Sequence, residues 1–490
     1  NSGTCANWVD ASTIYLATPL IPLFTHNGAP ALYQIVDEYT DGGSGGNLKT
    51  EYTYLQVSDV LLPVNAPRYP DGYPMDMSWQ RGQLAGVAYY KLLNDGNYKL
   101  VKQVSNVYSP FYSKSIVSGT TVQVQTTYPG TSSCFLSSYP GGSMSQYFYY
   151  FDVIASTGTM KMTAQYINEY DDNNDTLTDT KTYTYGSSYH LFPTLITHLD
   201  SKGDTLKTQL LYPTDFLSTP VYDSLYTRNS LSPVVEQLDY KDSGFLSSAT
   251  TNYNYWGNGV ILPQTVTTQL LTNPVDTRLH FHGYDPRGNL LWVSKDSGAS
   301  SSFIWDYKST YPIAKCTNAD TTSIAYTSFE ADGTGRWTFS GSATAGSNCP
   351  TGNYYYYLGQ GSISKTGLLS GNSYVVSYWS STGSSYTVTG STSVVQGKTI
   401  NGWTYFEHTV TGTSTVTVSG SGNIDELRLY PSGAQMTTYT YTPLVGMTSQ
   451  CDVDNRVTYY FYDPLARLKY VKDQDGNIIK TYQYHYQGGQ

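Results

Sequence analysis

Apolar and aromatic residues along this chain recur at every second position in short runs, and clusters of Asp, Asn, Gly and Pro separate the runs. Tyr482, Tyr484 and Tyr486 alternate with Gln and His, and Thr182-Tyr183-Thr184-Tyr185 and Thr437-Thr438-Tyr439-Thr440-Tyr441 repeat the pattern. Period two marks a strand with one face buried, and Asp or Asn with Gly supplies the left-handed positions of a turn. Strand–turn–strand units are therefore predicted at 32–35 with 52–54 across the Gly-rich stretch 41–46, and at 166–170 with 182–185 across 171–176. Others fall at 193–199 with 205–212 across 200–203, and at 284–290 leading into 291–293 and 302–307. Three more strands lie between Val457 and Tyr486, around turns at Asp463 and at 473–477. Helical periodicity is weak: 85–93 has the best helix-like composition, but Tyr89-Tyr90 followed by Asn94-Asp95-Gly96 reads as strand and hairpin. The expected fold class is all-β and antiparallel.

One segment breaks the pattern. From 328 to 430 the Tyr-Asp turns vanish, and short strands spaced by Gly, Ser and Thr appear. Their landmarks are Phe329-Glu330, Trp337, the four tyrosines 354–357, Trp379, Trp403 and Ile424-Asp425-Glu426-Leu427. Such spacing predicts a β-sandwich. The expected organisation is a repeat sheet over 1–327, an inserted sandwich over 328–430, and a repeat resuming over 431–490. An insert is tolerated because domain termini tend to lie close together.

Composition agrees with sheet. Tyr accounts for 50 of 490 residues and charged residues for only 13 %, against roughly 25 % in ordinary globular chains. Tyr and Thr suit a pleated surface that is half wet. The net charge of −10 argues against nucleic-acid or anionic-membrane partners, which call for basic patches. No apolar run is long enough for a membrane helix, so membrane insertion is not expected. The start at Asn1 without Met suits a piece of a longer protein. Cys5, Cys134, Cys316, Cys349 and Cys451 are too far apart for a zinc ribbon, and Cys316 with Cys349 is the one pairing considered.

The segments Tyr284-Asp285-Pro286-Arg287-Gly288-Asn289 to Tyr307 and 437–486 resemble the YD-repeat (RHS-repeat) family of large bacterial surface and secreted proteins, of Bacteroidota type. The resemblance implies a long repetitive antiparallel sheet that forms a spiral strip or closes into a shell. The family's self-cleaving Asp-Pro-x-Gly core is matched only by 285–288 in mid-repeat, so the resemblance points to a scaffold without cargo. Its implied partners are other protein chains or further segments of the same parent, and its implied location is extracellular or at the cell surface. Two alternatives stay open: a carbohydrate-binding surface protein using the sandwich, and the shell of a secreted toxin lacking its cargo domain.

Candidate chemistry is sparse. The order of the 328–430 segment is similar to jelly rolls of carbohydrate-binding modules, in which an early Phe-Glu strand pairs with a last Ile-Asp-Glu-Leu strand. That similarity implies a structural calcium held by Glu330 and Asp425. Flat rings pack well on sugar CH faces, so Trp337, Trp379, Trp403, Tyr378 and Tyr405 are candidates for a glycan platform, with Trp337, Trp403 and Tyr405 foremost. Each also reads as a core or sheet-face aromatic, Trp379 and Trp403 above all. His280 and His282 share a strand face at a spacing metals use, though two polar residues on a solvated strand face account for them better, and 171–175 has alternating oxygen ligands, for which a hairpin turn is the better explanation. Thr176, Thr205, Ser224 and Thr321 follow Asp in triplets resembling the glycan acceptors of exported Bacteroidota proteins. No serine-nucleophile elbow, His-Glu-x-x-His or phosphate loop occurs, so no enzyme and no cofactor beyond the calcium is expected.

Overall fold

The computed structural model describes residues 33–40, 48–62, 73–124, 148–173, 175–200 and 202–484. The turn expected at 41–46 and the cysteines Cys5 and Cys134 lie outside them. The chain is all-β and antiparallel, with two compact units. The first comprises 1–210 with 238–246, and the second 211–237 with 247–490.

In the first unit, Ile35–Thr40 pairs with Leu48–Tyr54, which pairs with Leu84–Leu92. The ladder continues through Tyr98–Val124, Phe148–Tyr170, Thr176–Thr184, Leu195–Leu199 and Thr205–Leu211. Two of these strands are unusually long, at 27 and 23 residues, and the sequence pattern gave no hint of their length. In the second unit, Gly244–Tyr255, Ile261–Leu270, Asp276–Tyr284, Leu290–Lys295, Ser300–Asp306 and Tyr311–Thr317 pair in chain order. Pro220–Thr227 is a helix that strand patterning missed; Pro220 opens it, and Val221, Tyr222 and Leu225 bury one face.

Among the described residues, eight hairpins share one turn frame. Each has five loop residues flanked by a paired couple, for example Tyr462 with Leu468, Tyr284 with Leu290, and Lys472 with Ile478. The N–H of the first loop residue donates to the carbonyl of the fifth, and in six of them the N–H of the fourth, at Gly96, Gly203, Gly288, Asn455, Ala466 and Gly476, donates to the carbonyl of the first. In six of them the first residue is Asp: Asp171, Asp200, Asp285, Asp452, Asp463 and Asp473. Its Oδ1 accepts the N–H groups of the third and fifth loop residues at 2.8–3.0 Å. Asn289 and Asn477 also donate to Oδ2 of their aspartates, at 2.9 and 3.0 Å, and Arg467 Nε does so to Asp463 at 2.7 Å. The fourth position is left-handed, with Gly203, Gly288 and Gly476 at φ 86°, 88° and 87°. Asn455 and Ala466 take the same place at 62° and 57°.

The Tyr before the Asp has its own task. Tyr284 and Tyr462 each follow a register shift, and their hydroxyls donate to the carbonyls of Pro263 and Met447 near the start of the preceding strand. Tyr441 does the same to Pro312, and Trp305 Nε1 to Leu290. A ring that packs on the sheet and bonds across a bulge explains why Tyr and Trp occupy these positions.

The repeat is interrupted inside one hairpin: Thr317 pairs directly with Gln435, and Ala314 with Thr438, across the whole insert. The strands that flank the insert are therefore neighbours in the repeat ladder. The insert is a sandwich of two sheets. The larger runs Ser391–Ile400, Trp403–Val410, Tyr374–Ser380, Asn423–Pro431, the last also flanked by Ala325–Thr327 and Tyr354–Tyr357. The smaller holds Ile363–Thr366, Thr415–Ser419 and Thr387–Val388. Val376, Tyr378, Phe406, Val410, Val416 and Val418 interdigitate in a closed core between them. Phe329-Glu330 is not the pairing strand that the jelly-roll resemblance implied. Ala325–Thr327 takes that role, and Phe329 follows with a left-handed φ of 63° that ends the strand.

Candidate functional site at the junction of sandwich and repeat

The outer face of the larger sandwich sheet rests on the strands after 435, within the second unit. A register shift in Asn423–Pro431 opposite Tyr378 builds this contact: Glu426 adopts φ 52°, so two residues stand against one. Leu427 and Leu429 stay in the sandwich core, whereas Glu426 and Arg428 turn away from it. Both are almost fully buried and ion-paired at 2.8 Å. Arg428 Nη2 also donates to Thr438 Oγ1 (2.8 Å), and Nη1 to the Asp452 carbonyl (3.2 Å). Glu426 accepts from Tyr326 OH (2.7 Å), Thr351 Oγ1 (3.0 Å) and Thr438 Oγ1. Burial pushes the Cys451 thiol beside Arg428 up to about 12.

Glu330 and Asp425 hold the next segment, 349–354. Glu330 Oε1 accepts the N–H groups of Asn353 and Tyr354 at 2.6 and 2.5 Å. Asp425 Oδ2 accepts the Thr351 N–H at 3.0 Å, and its Oδ1 the Glu426 N–H at 2.6 Å. Burial drives Asp425 well above the ordinary carboxylate range, aided by the charge of Glu426. Burial also lifts Glu330 to about 7, against the pull of its two N–H donors.

Calcium takes six to eight oxygen ligands. Glu330 and Asp425 are instead surrounded by N–H and O–H donors, and no group of three metal-ligating side chains forms among the described residues. These residues do not fit the calcium that the resemblance implied. Nor are Trp337, Trp403 and Tyr405 brought together. Trp337 is 2 % exposed in the core with Phe329 and Tyr356. Trp403, 7 % exposed, lies on the opposite face with its ring 6.0 Å from Tyr355. Tyr405 is half-buried, its hydroxyl donating to Glu407.

The remaining candidates are dispersed. His282 bonds Ser294 and stacks on Trp292, and His280 faces Asp296 at 3.5 Å. Asp171 organises a turn. Thr176 is exposed, Thr205 and Thr321 are half-buried, and the Ser224 hydroxyl lies 2.7 Å from that of Tyr255. Cys316, Cys349 and Cys451 are free thiols, so the considered Cys316–Cys349 bond is not formed; Cys316 is sealed in a core with Ile304 and Met436.

Two features escaped the sequence reading. One is the Glu426–Arg428 pair, whose signal was an acid and a base two apart in a strand that also carries Ile424, Leu427 and Leu429. The other is an open cleft lined by Trp305, Asp306, Lys308, Asp332 and Arg336. Asp306 is buried there, accepts the N–H groups of Tyr307 and Gly333, and has its carboxyl raised by burial and by Asp332. A second, smaller crevice beside Trp379 lies at the junction itself.

No protein-family model matches this sequence, and no curated protein matches it significantly. Among solved structures, the chain is similar to the crystal structure of TcdB2-TccC3, with 10 % identity and a TM-score of 0.18, covering 90 % of this chain and 21 % of that one. TcdB2-TccC3-Cdc42 gives 12 % identity and a TM-score of 0.19, covering 87 % and 19 %. TcdB2-TccC3 without its hypervariable C-terminal region gives 10 % and 0.18, with the same 87 % and 19 %. The chain thus spans about a fifth of the length of these structures. Overlays at such TM-scores carry no weight, and the all-β repeat architecture rests on the strand ladders.

Proposed function

We propose that this chain is a non-catalytic repeat scaffold, a segment of the strip or shell wall of an RHS-type protein that is secreted or displayed at the cell surface. The observation that supports it is the shared turn. Oδ1 of Asp285, Asp463 and Asp473 is in each case taken up by two N–H groups of its own loop. Such carboxylates build hairpins and are poorly placed to move protons for a substrate. No helix among the described residues is long and apolar enough to cross a membrane.

Edges are where such a sheet recruits partners. Ser391–Ile400 is exposed along its length, with Val394 and Val395 50 % and 62 % accessible. Ile35–Thr40 is exposed throughout as well. Further segments of the parent protein, or other chains, would add at these edges. The test is substitution of Asp285, Asp463 and Asp473 by Asn in the parent protein. A scaffold keeps any activity the parent has, while melting at lower temperature. Loss of an activity with unchanged melting would overturn the reading.

A further inference from the structure

His408 stands on the inner face of Trp403–Val410 with Phe406 and Val410, and it is 3 % exposed. Its cross-strand neighbours Val376 and Val394 are aliphatic. Two hydroxyls hold the ring from either side: that of Tyr378 lies 2.9 Å from Nε2, and that of Ser391 lies 2.9 Å from Nδ1. The bonding partners assign the protons. The Tyr386 N–H donates to the Tyr378 oxygen at 2.6 Å. The other acceptor in reach of that phenol, the Tyr386 carbonyl, is 3.4 Å away, so Tyr378 gives its hydrogen to Nε2. The neutral ring then carries its own hydrogen on Nδ1 and donates to Ser391, whose hydroxyl faces the Ser393 carbonyl at 3.3 Å. Every donor has an acceptor, and a ring that donates to Ser391 is no base for it.

A second proton has no such place. It would go on Nε2, against the Tyr378 hydroxyl, whose hydrogen would have to turn to the more distant carbonyl. The groups that face the ring are the uncharged Tyr378, Tyr386 and Ser391. Glu407 turns to the opposite face, where it takes the Tyr405 hydroxyl, and Lys398 is exposed farther along the edge strand. Burial alone holds the proton affinity of His408 below the ordinary 6.5. The folded state thus binds this proton less tightly than the unfolded chain, so the contribution of His408 is whole above pH 6.5 and is lost as pH falls below it.

The strand that Ser391 opens is the easiest to release. Ser391–Ile400 ends the larger sheet, is exposed along almost its whole length, and among the described residues pairs only with Trp403–Val410. Its register shifts between Ser391 and Ser393 and again between Gln396 and Thr399. Tyr374–Ser380, which carries Tyr378, is held by strands on both edges. The junction answers acid in the opposite sense, because Glu330 and Asp425 bind their protons more tightly in the fold. We propose that mild acid releases the edge strand Ser391–Ile400 from the sandwich, with His408 as the trigger, while the junction with the repeat stays closed. Lifting the Ser391 end lets water reach the imidazolium. The scaffold reading does not depend on this device, so either can fail alone.

The test is hydrogen exchange of the full chain at pH 7 and pH 5, corrected for the intrinsic rate, beside a histidine nitrogen NMR titration. Opening that exposes an imidazole of ordinary affinity is favoured by up to about 30-fold at pH 5. Amides of 391–396 should therefore exchange roughly 5-fold to 30-fold faster than at pH 7 and recover on return, while those of 349–354 do not accelerate. His408 should carry its hydrogen on Nδ1 at pH 7 and titrate below 6.5. His408→Gln, which offers Tyr378 an acceptor but takes no charge, should abolish the acceleration. Ser391→Ala should quicken exchange of 391–396 already at pH 7 and keep the response to acid. The proposal is overturned if 391–396 accelerates no more than 349–354 in the unaltered chain, or if His408 titrates at or above 6.5. It is equally overturned if folded His408→Gln keeps the acceleration.

Discussion

Replacing Arg428 by Met keeps most of the aliphatic volume and removes the guanidinium from the junction. Glu426, whose side chain is 1 % exposed, would then lose its ion-pair partner and be left with the hydroxyls of Tyr326, Thr351 and Thr438 around it. Thr438 and the Asp452 carbonyl each lose a donor as well. Removing one partner of a buried pair typically costs about 3–5 kcal/mol, because the other charge is stranded. The expected loss for Arg428→Met is therefore about 4 kcal/mol. Adding Glu426→Gln removes the stranded charge, and the double variant should recover at least about 2 kcal/mol of that loss. The assay is urea unfolding of the full chain followed by tryptophan fluorescence, with hydrogen exchange of 423–431 and 349–354 locating the change. Urea avoids screening the charges. A loss below about 1 kcal/mol for Arg428→Met, or a double variant weaker than the single, would refute the reasoning.

Three further outcomes are expected. Glu330 binds its proton more tightly in the folded state, so its contribution should weaken as pH rises from 4.5 towards about 7 and level off above; Glu330→Gln should flatten that slope in a pH series of melting temperatures. Gly335→Ala should destabilise the chain by at least about 2 kcal/mol in the same urea assay, because φ is 58° and a Cβ would overlap the Tyr326 carbonyl. Ala466→Gly should be neutral to slightly stabilising and Gly476→Ala destabilising by about 1 kcal/mol, since both occupy the left-handed fourth position of the turn; a clear loss of stability in Ala466→Gly, or a gain in Gly476→Ala, would count against equivalence of the turns.

The hairpins were legible because two local signals agree in them: period-two aromatics and an Asp followed three residues on by Gly, Asn or Ala. The turn around 463–467 could be placed without any tertiary information. Tyr98–Val124 and Phe148–Tyr170 were not, since their length comes from pairing with each other and they contain Pro110, Gly119 and Gly158, which read as breaks. The helix Pro220–Thr227 spans eight residues, too few for a 3.6-residue period to stand out. At the junction, Glu330 and Asp425 were singled out for the right segment and the wrong chemistry. Sequence shows an acid, but only the fold shows whether donors or acceptors surround it. Arg428 stayed hidden because the bulge at Glu426 moves it to a face that simple alternation does not reveal.

The most direct test of the turn-forming role is a carbon-detected NMR titration of the aspartate carboxylates. Hydrogen bonds from Asp204, from the Arg467 side chain and from the Asn477 side chain, respectively, hold Asp200, Asp463 and Asp473 below the ordinary 3.8. For Asp285, burial pulls upward and the bonds from Asn289 and Arg287 outweigh it. Their folded states bind the proton less tightly than the unfolded chain, so their contribution is in place above pH 3.8 and lost as pH falls through the lower folded values. Expected is that all four titrate below 3.8, with exchange of the Arg287, Asn289, Leu465, Arg467, Asp475 and Asn477 amides quickening over the same interval. Titration at or above 3.8, with those amides indifferent to it, would contradict a scaffold built on this turn.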